Sequence, residues 1–414
     1  EVGTANVTLD GITIDTIHGG SKDSRVTANT NVVLKSGTVT NVFGGGLGTS
    51  TTNAKVTQQG ANVENIYGGG YGGTGKGGTT ANATVNIDSG KVENVYGGSM
   101  NRGITHNAII NIRGTSLITN KIYGGGYKTD IGKSDNTGST TINISGGTIN
   151  KNLFGGAEGA VVHGTTNINI GVDAVSDNSP VAGNINIRGN IYGGGTSTSV
   201  DYSLNSVEGD THITMTNSTR SPITFSKNIF GSGKGTNYST NNTNNDGSTI
   251  KLNNFGTSRS SYRMTSIQRT GKVSIGNSYL ELSGAQDNYN YYRNTLYTLN
   301  RVTKGLALHD NTTLYTRRGF NMVGGFESYL TDASGNQTKE TVSIAGNTVT
   351  RNVDNRIYTF EGINLIFAKQ EGELSDKANQ DIWGDVNGMA FFGMYRISRT
   401  TFQKEYDIYD PNYK

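Results

Sequence analysis

Tyrosine and arginine gather in the stretch DNYNYYRNTLYTLNR, residues 287–301, which holds Tyr289, Tyr291, Tyr292, Arg293, Tyr297 and Arg301. Phenol rings give contact area at low entropic cost and guanidinium groups give directed hydrogen bonds, so these six residues form the candidate ligand-binding site. The alternative is that alternate tyrosines pack the wall of a wide β-coil. A platform for single-stranded nucleic acid would use a similar mixture, but it needs a positive groove, and the formal net charge is only +3.

Acids are scattered: Asp88, Glu93, Asp130, Glu158, Asp173 and Asp177 occupy no common place in the pattern described below. Glycoside hydrolysis needs two carboxylates a few ångströms apart. The densest acidic group, Asp201, Glu208 and Asp210, lies on a long repeat, where solenoids carry binding loops. It is the candidate for an enzyme of the polysaccharide lyase or glycoside hydrolase kind. The histidines, His18, His106, His163, His212 and His309, have no H-x-x-x-H or H-x-H spacing, so no metal site is expected. With no cysteine in the chain, disulfides, thiolate metal sites and thiol catalysis are excluded.

One glycine run imitates a phosphate-binding loop. Gly70 and Gly75-Lys76 fit the spacing, but Gly77 stands where a magnesium-binding hydroxyl belongs, and the alternating GGTTANATVNID follows instead of a helix. No nucleotide or other cofactor is expected. The glycines have another origin, because an aliphatic residue, an aromatic and two small residues recur along the chain. The copies are TIHGGS, NVFGGG, NIYGGG, NVYGGS, KIYGGG, NLFGGA, NIYGGG and NIFGSG. Their aromatic slots, His18, Phe43, Tyr67, Tyr96, Tyr123, Phe154, Tyr192 and Phe230, are separated by 25, 24, 29, 27, 31, 38 and 38 residues.

Each repeat reads as two or three short strands. In ATVNIDSGKVENVYGGS, residues 83–99, alternation puts Val85 and Ile87 on one face, DSG turns, and KVENVY is a second strand. Strands of this size at this period predict an all-β chain folded as a right-handed parallel β-helix (β-solenoid) with coils of about 25–38 residues. A β-propeller is the rival, but most repeats are too short for four strands. Hydrophobic residues make up only 32% of the chain and glycine contributes 60 residues, which suits a solenoid with a thin interior.

Stacking would place Asn41, Asn65, Asn94, Asn152, Asn190 and Asn228 in an amide ladder, interrupted at Thr16 and Lys121. The aromatic slot follows an invariably aliphatic one, so its rings either line the outside, where they would bind sugar faces, or are turned inward at the glycines as a core stack. The repeat stops near residue 250. Residues 1–253 are read as glycine-rich coils and 254–414 as wider coils with a C-terminal cap or continuation.

The recurrent NIYGGG-type coils, the G-x-V-x-N lead-in and the later GDVNGMAFFGMY make the chain similar to glycine-rich parallel β-helix regions of large bacterial surface proteins, especially adhesin-like proteins of Gram-positive gut and mouth bacteria. The resemblance covers most of the chain. It implies a non-catalytic role at the cell surface or wall, as an adhesin or a rigid display stalk. The expected partner is a host or cell-surface glycan or an extracellular protein, met by a monomeric segment of a longer chain. No export signal, sorting motif or membrane-inserting run is visible, and no basic block points to nucleic acid.

Overall fold

The computed structural model describes residues 2–22, 27–73, 78–133, 137–175, 181–196, 207–234, 247–257, 262–286 and 296–310, with shorter stretches up to residue 391. The chain forms two compact units. One comprises Glu1–Phe225 and Phe230–Ser248, the other Ser226–Ile229 and Thr249–Lys414.

In the first unit the long strands Val2–Leu9, Thr27–Leu34, Thr51–Gln58, Thr79–Ile87, Ile104–Ile112, Ser139–Ile144, Thr165–Ile170 and Thr211–Thr216 pair in parallel, each with its counterpart one repeat away. A turn follows each, with Gly37, Gly90 and Gly147 at positive φ. The chain then enters a second parallel ladder, starting with Ile12–His18, Gly37–Phe43, Asn62–Tyr67 and Lys91–Tyr96. From the next coil this strand is broken in two, so Lys91–Tyr96 pairs with both Leu117–Ile118 and Ile122–Tyr123. The break falls between two inward columns, Val39/Val63/Val92/Ile118 and Val42/Ile66/Val95/Ile122, which are three residues apart in the unbroken coils and four apart at Ile118 and Ile122, so the broken coil carries one extra residue between them. A third ladder consists of single bridges, Lys22↔Leu47↔Tyr71↔Met100↔Tyr127↔Glu158↔Thr196↔Lys234. Parallel pairing between successive repeats makes this a parallel β-helix and excludes the propeller, whose blades are antiparallel.

The interior is built from columns of like residues. Val32, Val56, Val85, Ile110, Ile142, Ile168 and Ile213 stack in register, all fully buried. Their β-branched side chains are stiff and fit a pleated surface. The neighbouring column is small, Thr30, Ala54, Ala83, Ala108, Thr140, Thr166 and Thr211, because it faces the glycines of the second ladder. Thr140 Oγ1 donates to Gly155 O at 2.6 Å and Thr166 Oγ1 to Gly193 O at 2.7 Å, so a hydroxyl buried there satisfies a ladder carbonyl.

The first glycine after each aromatic is required by space. A Cβ on Gly44, Gly68, Gly97, Gly124, Gly155 or Gly193 would lie 2.2–2.3 Å from the carbonyl oxygen of its counterpart in the next coil. No rotamer relieves a backbone clash of that kind.

The expected asparagine ladder forms in part. Asn65 donates to Asn41 at 3.1 Å and Asn94 to Asn65 at 2.9 Å. The ladder then continues through Asn120, which donates to Asn94 at 2.9 Å, instead of stopping at Lys121. Asn152 accepts from the backbone N–H of Asn190, and the Asn190 amide turns to the Tyr192 hydroxyl. In these later coils, where the strand is broken in two, the amide-to-amide linkage gives way to one backbone N–H and one phenol hydroxyl as partners.

The second unit has three ladders of full strands. Thr249–Asn253, Lys272–Gly276, Leu306–His309 and Phe326–Thr331 form one; Ser266–Thr270, Leu296–Val302 and Gly319–Met322 the second; Arg263–Met264, Tyr279–Leu282, Thr313–Thr316 and Ile363–Phe367 the third. Its turns use Asn254, Asn277 and Asp310 as well as glycine in the left-handed region, which the first unit fills mostly with glycine. Antiparallel pairing enters with Ala285–Gln286 on Leu296–Val302 and recurs with Gln337–Lys339 on Phe326–Thr331 and Met389–Phe391 on Gly319–Met322. Among the described residues there is no helix.

Candidate functional site

Most of the tyrosine-rich stretch, including Tyr289, Tyr291, Tyr292 and Arg293, lies outside the described residues. Tyr297 sits on the strand Leu296–Val302, opposite Ala285 on one side and Gly319 on the other. Arg301, on the same strand, is half-buried and takes φ 55° at a register shift. Of the acidic group, Asp201 also lies outside the described residues, and Glu208 and Asp210 are described below.

The aromatic slot resolves as a core stack. Phe43, Tyr67, Tyr96, Tyr123, Phe154, Tyr192 and Phe230 are all buried and form a cluster of their own, against which Tyr71, Met100 and Tyr127 pack. From His18 to Phe230 the ring centroids are 4.6–5.4 Å apart and the planes differ by 3–12°. The preceding aliphatic residues are buried too, so both faces of this strand are covered. The cover comes from the bridge ladder four residues after each ring. Tyr71 meets Phe43 edge-on at 5.4 Å and Tyr127 meets Tyr96 at 5.6 Å. The stack is therefore closed to a sugar ring.

Glu158 belongs to this cover. The residue is 7% exposed, and its carboxylate accepts from the Tyr96 hydroxyl at 2.7 Å and lies 3.3 Å from Lys121 Nζ. Burial, then the hydrogen bond to Glu158, raises the Tyr96 pKa. Burial, then the Glu158 charge, does the same at Tyr123. Tyr67 is pushed up to about 12, by burial first and then by Tyr127, Glu158 and Glu64. These phenols are held neutral, which suits packing and hydrogen-bond donation more than acid–base turnover near neutral pH.

A second polar cluster crosses three coils where Ile131, Val162 and Val207 form bridges. His163 Nδ1 lies 2.7 Å from Glu208 Oε2, and its Nε2 lies 3.7 Å from Asp130 Oδ2. Asp130 also accepts from the Val161 N–H at 2.9 Å. Sequence reading missed both clusters because their members, 33 and 45 residues apart or 62 and 37, share no motif. An alignment of coils on Ile131, Val162 and Val207 would have exposed the first. Asp210 joins neither cluster; its carbonyl accepts from Thr166 N–H.

Neither cluster presents the open carboxylate pair that glycoside hydrolysis uses. Glu208 is engaged by a histidine where a hydrolase would need a second carboxylate across a substrate-sized gap. Among the described residues no three His, Asp or Glu side chains are disposed to hold a metal ion. The outward side chains instead form two unlike sheets. The second ladder presents Glu64, Lys91, Glu93 and Arg188, whereas the long-strand sheet presents chiefly asparagine and threonine. Searches against protein-family models, curated proteins and solved structures return no match for this chain.

Proposed function

We propose that this chain is a non-catalytic module of a bacterial cell-surface protein, working outside the cell as a rigid display stalk with adhesin-like binding carried on its coils. The observation that carries this reading is the closed aromatic stack. The most regular chemical feature of the chain is spent on joining one coil to the next. The buried acid of the same corner is spent likewise, on Tyr96 and Lys121. A stalk needs each coil fixed to its neighbours, and ladders repeated in every coil supply that without disulfides.

Two assays test the reading. An antibody against the chain should label intact, unpermeabilised cells of the source bacterium and not a strain lacking the gene. Incubation with a panel of neutral and acidic polysaccharides should release no reducing ends and no unsaturated uronates. Labelling only after permeabilisation, or product release above that of heat-inactivated protein, would reject it.

A further inference from the structure

The outer surface of the long-strand sheet in the first unit is a field made chiefly of uncharged hydrogen-bonding groups. Each strand contributes three outward positions in register, such as Asn53, Lys55 and Thr57, then Asn82, Thr84 and Asn86, then Asn107, Ile109 and Asn111. From Thr4, Asn6 and Thr8 through Thr165, Asn167 and Asn169, every such position is Asn, Thr or Ser except Val33, Lys55 and Ile109. No carboxylate occurs among them. Solvated protein surfaces normally intersperse charges of both signs, as the second ladder of the same unit does.

The amides are held in place. Asn53 Nδ2 donates to Asn29 Oδ1 at 2.9 Å, Asn82 to Asn53 at 3.0 Å and Asn107 to Asn82 at 3.2 Å, in a row exposed along its length. A second row, Asn86, Asn111, Asn143 and Asn169, repeats the linkage at 2.9 Å per step and is largely buried by its own packing. A carboxamide has two N–H donors and an oxygen with two lone pairs. Asn53 and Asn82 each spend one donor and one lone pair on the ladder, so each keeps one of both facing solvent. The pairs recur at the coil spacing, about 4.8 Å, beside columns about 6.7 Å apart. Ile109, 38% exposed, adds an apolar spot beside the row.

We infer that this face binds a neutral, hydroxyl-rich polysaccharide lying along the stacking direction. A hydroxyl both donates and accepts, which matches the leftover pair on each amide. A polymer would meet one such pair per coil, so weak contacts add. The ladder orders the amides beforehand, which lowers the entropic cost of binding. An anionic glycan would find only Lys55 among the positions from Thr4 to Asn169, and a cationic one no acid. This inference rests on the reading of the chain as a surface module and names its partner.

The test is retention of the purified chain on cellulose, chitin and cross-linked dextran, with carboxymethyl-cellulose for comparison. Retention is expected on at least one neutral matrix, little changed between low and high salt, and reduced at least about tenfold by the double variant Asn82→Ala/Asn107→Ala. A Glu64→Gln/Glu93→Gln variant on the other sheet should bind as the parent does. Because both asparagines are exposed, a matching circular dichroism spectrum and melting curve certify that the variant is folded; if it is not, Thr84→Lys places a bulky charge in the same field and should also abolish retention. No retention on any neutral matrix, retention equal in the folded face variants, or retention lost in salt overturns the inference and leaves the stalk reading standing. Release of soluble sugar from a bound matrix would reject the non-catalytic reading while the face retains its ligand.

Discussion

The carboxylate of Glu158 accepts a 2.7 Å hydrogen bond from the hydroxyl of Tyr96, which lies two coils away and 62 residues earlier in the chain. Both groups are buried, and the carboxylate also meets Lys121 of the intervening coil at 3.3 Å. One side chain thus ties three coils together at the covered side of the aromatic stack.

Alkaline pH should loosen this corner. The folded-state pKa values of Tyr67, Tyr96 and Tyr123 are raised above the ordinary 10.0, Tyr67 to about 12. Their contribution is fully present below pH 10 and is lost as pH rises through the folded values, because the unfolded chain releases those protons first. The melting temperature should fall from about pH 10 upward, and the fall should be shallower in Tyr96→Phe. An equal slope in parent and variant would mean that Tyr96 is not held neutral by the fold.

Two glycine-to-alanine changes should separate sharply. At Gly68 the new Cβ would sit 2.3 Å from Gly97 O and 3.0 Å from Val85 Cγ2, whereas at Gly73 it meets nothing within 4 Å. Gly68→Ala should destabilise by about 1–3 kcal/mol or more. Gly73→Ala should be neutral or stabilising by up to about 1 kcal/mol. Urea midpoints of the two variants measure the contrast, and similar values would disprove the packing account of the repeat.

His18 starts the ring stack, and its pKa is lowered from 6.5, by burial first and by Lys22 second. Stability tied to the neutral ring is present above pH 6.5 and is lost as pH falls through the lowered folded value. Phenylalanine, which fills this slot three times elsewhere in the chain, carries no such proton. His18→Phe should therefore raise the melting temperature more at about pH 5 than at about pH 7.5. A gain independent of pH would assign the effect to packing alone.

The pair His163 and Glu208 joins coils that are 45 residues apart in sequence. A double-mutant cycle with His163→Gln and Glu208→Gln should give a coupling of only about 0.2–1 kcal/mol, because Glu208 is well exposed. The coupling should shrink in about 1 M salt. A coupling near zero at low salt would remove this pair from the contacts that hold the coils.

The repeat was legible because it follows from local physics. Period-2 alternation at Val85 and Ile87, the DSG turn and the aliphatic–aromatic–Gly–Gly signature each constrain a few neighbouring residues, and stacking identical constraints determines a parallel β-helix. The requirement for glycine at Gly44, Gly68 and Gly97 could be seen in the pattern, although its cause, a carbonyl of the next coil, could not. The fate of the aromatic rings was undecided, since alternation says only that Ile66 and Tyr67 point opposite ways. What closes over the rings is a segment that returns after the glycine bend, and the bend angle is a tertiary quantity. The partners of Glu158 and His163 were hidden for a related reason. Coil lengths vary from 24 to 38 residues, so residues that stack share no sequence spacing, and only the paired backbone decides which acid meets which donor.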